Sequence, residues 1–196
     1  MQPDSAVAAL PVRRLGRGKR RQQILEAAKR TFGRTGFAHT SLDDVAQAAD
    51  ISKALIYRHF ESKRDLYVAS LEDFGAHLQD VMGPREGWTQ AVVDDLVRIA
   101  GTDPDGFLLL FEHASREPEF EQLATELRER SVAIARQRMP EKLGSPTNVD
   151  WAARLVPSVL IQALVTWIQA GRPNPERAAG VVRALLLATT EALRVD

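Results

Sequence analysis

Helical spacing of apolar residues runs through almost all of this chain, and proline and glycine interrupt it at short intervals. No long alternating run is bounded by Asn-Gly or Asp-Gly, so the strand signals are missing. The pattern predicts an all-α protein of about nine helices. Arg13, Arg14, Arg17, Lys19, Arg20 and Arg21 lead into a first helix with Ile24, Leu25, Ala28 and Phe32 on one face, ended by Gly33 and Gly36. Ser41, Ser52 and Ser62 are placed to cap three further helices, the third over Lys53 to His59 and the fourth from Lys63 towards Val81. Asp50 stands where the turn between the second and third calls for a left-handed residue. Five more helices are expected at about 88–100, 104–115, 118–138, 149–171 and 175–194, separated by Asp103-Pro104, Glu117-Pro118, Pro140, Gly144–Pro146 and Gly171–Pro175.

Charge divides the chain in two. Lys and Arg equal Asp and Glu at 26 each, but residues 1–67 hold 13 basic against 7 acidic residues. A basic first third on an acidic remainder suits contact with a polyanion. There is no cysteine, which removes disulfide scaffolds, thiolate metal sites and cysteine nucleophiles. The short apolar stretch Ala6 to Leu10 precedes the basic run, the reverse of a secretory signal. Leu155 to Gly171 lacks charge over 17 residues but carries Pro157, Ser158, Gln162, Thr166 and Gln169, so a helix buried on two sides is expected rather than a membrane span.

Residues 41–60 read as two short helices joined by a tight turn, with Leu42, Val45, Ala46, Ala49, Ile51, Ile56 and Phe60 turned inward onto the first helix. That is a helix-turn-helix, whose second helix can enter a major groove. Lys53, Tyr57, Arg58 and His59 fall on its outer side. Lys63, in the first turn of the next helix, is disfavoured by the helix dipole unless a phosphate sits nearby, so Ser62-Lys63 reads as a phosphate clamp.

The stretch Ile24–Ala28, Phe32, Gly36-Phe37, Thr40–Ala46, Ile51-Ser52-Lys53, Ile56–Phe60, Ser62-Lys63 and Leu66 resembles the DNA-binding domain of TetR-type (TetR/AcrR) transcriptional regulators. The resemblance covers about residues 18–66. It implies phosphate contacts at Thr40, Ser41, Tyr57, His59 and Lys63, and a base-facing turn at Lys53, Ala54 and Leu55. Arg58 faces the groove, where it can bind guanine O6 and N7. Leu55 replaces the family's frequent Thr or Ser, and Asp50 its usual Gly. The family implies three parts: a leader at 1–16, a DNA-binding domain at 17–66 and a helical effector-binding and dimerisation domain at 67–196. The leader either reaches the minor groove or makes no contact.

The helices at about 149–171 and 175–194 carry apolar residues around most of their circumference, including Val181, Val182, Leu185, Leu186, Leu187 and Leu193. They need a second buried surface, and a homodimer supplies it. Two recognition helices about 34–36 Å apart then imply double-stranded DNA with an inverted-repeat operator. Pro157 should kink its helix. The residues that could line an effector pocket are Trp88, Phe107, Phe111, His113, Arg116, Trp151, Gln162 and Trp167, which favours a small, largely apolar ligand.

The function expected is therefore a sequence-specific transcriptional regulator, a repressor released by that ligand. No membrane partner is expected, and the family implies the bacterial cytoplasm. No cofactor, metal or catalytic residue is expected. His113/Glu117 and Asp73/His77 are lone pairs at helical spacing, and no nucleophile or phosphate-loop motif is present. Glu112, His113, Arg116 and Glu117 read as a surface ion-pair set. The alternatives are an effector-independent architectural DNA-binding protein and a helical-bundle enzyme.

Overall fold

The computed structural model describes residues 16–82, 90–138 and 145–194. The leader at 1–15 and Trp88 lie outside the described residues. Every regular element among them is helical: α1 (Arg17–His39), α2 (Leu42–Ala48), α3 (Lys53–Tyr57), α4 (Lys63–Met82), α5 (Gln90–Thr102), α6 (Pro104–Leu108), α7 (Glu121–Arg138), α8 (Pro146–Gln169) and α9 (Pro175–Ala192).

Local capping chemistry explains most boundaries. Ser41 and Asp44 form a capping box: the Ser41 hydroxyl accepts from the Asp44 amide, and the Ser41 amide donates to the Asp44 carboxylate at 2.7 Å. Hydrogen bonds from the Ser41 hydroxyl and amide hold the Asp44 carboxyl below its ordinary range. Asp103 caps α6 through the Gly106 amide, Ser145 caps α8 through the Asn148 amide, and Ser62 accepts from the Asp65 amide. Ser52 makes no such side-chain bond at the start of α3. Replacing Ser41 with alanine removes half of the box. It should cost about 1 kcal/mol, or roughly 2–4 °C in Tm, measured by thermal circular dichroism; an unchanged Tm would mean that tertiary contacts alone hold α2.

Two expected helix ends differ. Gly33 does not terminate α1; it is helical and buried. Its lack of a side chain serves packing, because a Cβ there would lie 2.7 Å from the carbonyl carbon of Asp105 and closer still to its oxygen. Gly36 does interrupt the helix, with φ +78°. The segment expected as one helix over 104–115 is α6 followed by a π turn at Leu109–His113 and a 3-10 turn at Ala114–Arg116. α8 contains Pro157, buried, with the Ser158 hydroxyl bonded to the Arg154 carbonyl in the turn before it.

One continuous apolar cluster runs from Ile24 on α1 to Leu193 after α9. The expected division at residue 66 is therefore not a break in packing. Tyr67 on α4 sits at the junction, edge-on to Phe32 and Phe37 and 4.4 Å from the Phe120 ring. Burial pushes the Tyr67 hydroxyl far up from its ordinary range. Lys29 is a second junction. Its ammonium, on a side chain only 6% exposed, lies 2.9 Å from Glu26, 2.9 Å from Asp73 on α4 and 3.5 Å from the α6 cap Asp103.

α8 is the one described helix long and apolar enough to cross a membrane by length and composition, and 39% of its most apolar window is buried within the chain. Its inner face, including Val156, Leu160 and Leu164, belongs to the core. α9 buries Ala178, Val182 and Leu186 and leaves Val181 60% and Leu187 66% exposed.

Candidate nucleic-acid interface

α2 and α3 form the helix-turn-helix. The turn between them is a Schellman motif: the Ile51 amide bonds to the Ala46 carbonyl and the Asp50 amide to the Gln47 carbonyl. Asp50 takes the left-handed position at φ +53°. Val45, Ala46 and Ala49 on one side and Ile56 and Phe60 on the other pack against Ile24, Ala27 and Ala28 of α1. Gln23 of α1 donates to the Ala49 carbonyl at 2.8 Å and so fixes the end of α2. Ile51 is partly buried.

What this frame holds outward is the outer side of α3. Ala54 and Arg58 are exposed, and Tyr57 is 53% exposed. Leu55 and His59 are partly buried at the edge of the same face. Arg58 makes no ion pair among the described residues. His59 is held below its ordinary pKa, first by burial and then by the charges of Arg17, Arg58, Arg20 and Arg21. Three arginines of the first turns of α1 thus add their charge around the end of the recognition helix. The basic run signalled them, but its place beside His59 depends on how α1 packs across α3. Arg21 also covers the Phe60 ring at 5.0 Å.

Three predicted contacts sit differently from expectation. Thr40 is buried, its hydroxyl donating to the Gly36 carbonyl at 2.7 Å, because it closes the break in α1. Its side chain is committed inward. Lys53 is exposed but turned from the groove side towards α2, with its ammonium 2.8 Å from the Asp43 carboxylate. Lys63 rests its ammonium 4.2 Å over the Phe37 ring, at the start of α4. Ser41 stays exposed at the start of α2.

The match to a family model decides between these helices being a general packing motif and a particular one. Residues 24–69 match the model described as bacterial regulatory proteins, tetR family. The match spans α1 from Ile24, the helix-turn-helix and the first turns of α4, and marks that segment as similar to the tetR family of bacterial regulatory proteins. Over 109 residues the chain is 33% identical to the HTH-type transcriptional activator FasR of Mycolicibacterium smegmatis, spanning 51% of this chain and 49% of FasR. The chain thus spans about half the length of that relative. The fold resembles a TetR-like transcriptional regulator from Rhodococcus sp. RHA1 (TM-score 0.74, 21% identity, 89% of this chain and 97% of that one). It also resembles FadR of Bacillus subtilis, solved with stearoyl-CoA (TM-score 0.65, 16% identity, 88% and 97%).

The residues predicted to line a ligand pocket are dispersed. The Phe107 and Phe111 rings meet at a tilt with centroids 4.6 Å apart, Phe107 fully buried. His113 instead docks the segment after α6 on α1, its Nε2 3.0 Å from the Gly33 carbonyl. Trp151 is 59% exposed, and Gln162 is exposed with its amide bonded to Thr166. Trp167 bonds the Pro173 carbonyl and lines a groove of about 320 Å³ with Val181 and Leu185. The expected surface ion-pair set is partly internal. Glu112 is buried, held by Arg116 at 2.9 Å and by the Gln169 amide of α8 at 2.7 Å, and Glu117 accepts from the Ala38 amide. These groups fasten helices together. No cluster of potential metal ligands occurs among the described residues.

Proposed function

We propose that this chain is a sequence-specific DNA-binding transcriptional regulator of the cytoplasm. It acts as a homodimer on an inverted-repeat operator and is released from it by a small, largely apolar ligand. The observation that carries the reading is the outer face of α3, where Tyr57 and Arg58 project from a frame locked by the Ser41 box and the Asp50 turn. Arg58 reads base edges there. Tyr57, His59, Ser41 and Lys63 hold phosphates, joined by the arginines at the start of α1. Residues 17–66 bind DNA, and residues 67–196 bind the effector and pair the subunits.

The second copy covers the outer faces of α8 and α9, where Val181, Leu185 and Leu187 stand exposed. Apolar surface of that extent needs a partner in water. A ligand that binds better to a conformer with displaced recognition helices would shift the population off the operator. Stearoyl-CoA bound to a protein of this fold illustrates a ligand with a long apolar chain that the architecture can take.

Selection of sheared genomic DNA on the purified protein at physiological salt, followed by sequencing, tests this. Enrichment of a few inverted repeats is the expected result. Uniform recovery with steep salt dependence would favour an architectural protein instead. On the recovered duplex, Lys63→Ala should weaken binding to all sequences by about 8-fold at 0.1 M salt and flatten the salt dependence, whereas Tyr57→Ala, which removes a neutral hydrogen-bond donor, should weaken binding to all sequences with the salt dependence unchanged. Arg58→Ala should relax preference at one or two base positions by about 5- to 150-fold. Parent-like binding by all three variants would overturn the assignment of this face.

A further inference from the structure

We propose that Asp43 is a built-in competitor of DNA phosphate for Lys53, and so weakens binding to DNA of every sequence. The inference rests on the DNA-binding reading of this face. Lys53 is the first residue of the recognition helix α3, and Asp43 lies in the first turn of α2. Their side chains meet at 2.8 Å across the motif, Lys53 43% and Asp43 69% exposed. In a docked helix-turn-helix the first helix crosses the sugar–phosphate backbone while the second enters the groove. A lysine drawn from the second helix to the first turn of the first therefore points to where phosphates run. The Asp43 carboxylate fills the acceptor position that a phosphate oxygen would take.

The arrangement is specific to this cation. Arg58, at the other end of α3, keeps its guanidinium without an ion pair among the described residues. Lys63 rests on an aromatic face, which a phosphate displaces without competing against a carboxylate. Asp44, beside Asp43, cannot exchange roles with it, because both its backbone and side-chain bonds close the capping box with Ser41. Hydrogen bonding to Asp43 also raises the pKa of Lys53, so its ammonium keeps its charge throughout the neutral range. An exposed pair of this kind is weak in water. It lowers the gain from a phosphate contact without forbidding it, and leaves base readout by Arg58 untouched. The pair thereby shortens residence on operator and other DNA alike.

The test measures affinity and salt dependence for a random-sequence duplex of 30 base pairs and for the duplex recovered by selection. It compares the parent, Asp43→Asn, Lys53→Gln, the double variant and Asp43→Glu. Asp43→Asn should bind both duplexes about 2- to 5-fold tighter per protomer at 0.1 M salt, the worth of an exposed pair, and steepen the slope of log K against log salt by less than the roughly 0.9 of a whole new contact. The double variant should match Lys53→Gln, showing that the gain passes through Lys53. Asp43→Glu, whose carboxylate still reaches the ammonium, should bind like the parent. Unchanged binding by Asp43→Asn overturns the proposal. So does a gain that survives in the double variant, which would mark simple removal of a negative charge, or a gain confined to the selected duplex, which would make Lys53 a base reader. A parent that binds neither duplex would overturn the DNA-binding reading first, and this inference with it.

Discussion

Gly33→Ala should unseat the α6 segment from α1 and lower stability by about 3 kcal/mol, or roughly 6–12 °C in Tm. The reason is the atom that a Cβ would meet. It would fall 2.7 Å from the carbonyl carbon of Asp105 and within 2.9 Å of its Cα, a piece of backbone that cannot swing aside as a flexible side chain can. α1 and α6 would have to separate. The neighbouring fasteners, His113 on the Gly33 carbonyl and Asp103 near Lys29, would lengthen with them. Gly75 supplies the control, since nothing lies within 4 Å of a Cβ built there on α4. Gly75→Ala should be neutral or stabilising by up to about 1 kcal/mol. Thermal unfolding of both variants reads the difference. Equal Tm values would mean that the α1–α6 approach is not close in solution.

Lys29→Ala is the second large effect. The ammonium is buried among carboxylates from α1, α4 and the α6 cap, and its removal leaves three negative groups facing one another without a cation. Breaking a buried ion pair from one side costs roughly 3–5 kcal/mol. Asp73 and Asp103 are about a quarter exposed and Glu26 nearly half, so water screens what remains, and about 3 kcal/mol is expected. Urea unfolding measures it. The gap from the parent should narrow in 0.5 M salt, where the residual repulsion is screened.

Burial alone would lower the Lys29 pKa. Hydrogen bonds to Asp73 and Glu26 and the charges of Asp103 and Glu26 outweigh it, and raise the pKa from 10.5 to about 12. A raised folded-state pKa contributes stability that is complete below the unfolded value and is lost as pH rises through the folded one. The Lys29 contribution should therefore hold up to about pH 10 and fall away only towards pH 12. A Lys29→Ala protein as stable as the parent would show that the ammonium holds nothing together.

Features carried by a few adjacent residues were legible. Ser41 followed three residues later by Asp44, Asp50 at a tight turn, and Asp103-Pro104 at a helix start each state their local geometry through short-range hydrogen bonds or sterics. Helical periodicity identified the buried faces of α1, α2 and α3 for the same reason. Other residues misled because their role depends on distant neighbours. Gly33 reads as a helix stop, but it is a contact surface for Asp105. Thr40 reads as a phosphate ligand, but it closes the break at Gly36. Glu112 and His113 read as surface charges, but they fasten the segment after α6 to α8 and to α1. The pairing of Lys53 with Asp43 spans 10 residues and two helices, and no spacing rule reports it.

The sequence by itself determined that the chain is all-helical, where its helices begin and end to within a few residues, and which short stretch is a helix-turn-helix. Those properties follow from interactions between residues one to four apart, which the order of residues states directly. Only the tertiary structure decided which faces meet. Lys29 finds Asp103 across 74 residues, and His113 finds Gly33 across 80. It also decided that, among the described residues, Lys53 on α3 is held by Asp43 while Arg58 makes no ion pair. Those outcomes depend on three-dimensional proximity between segments whose separation along the chain carries no signal.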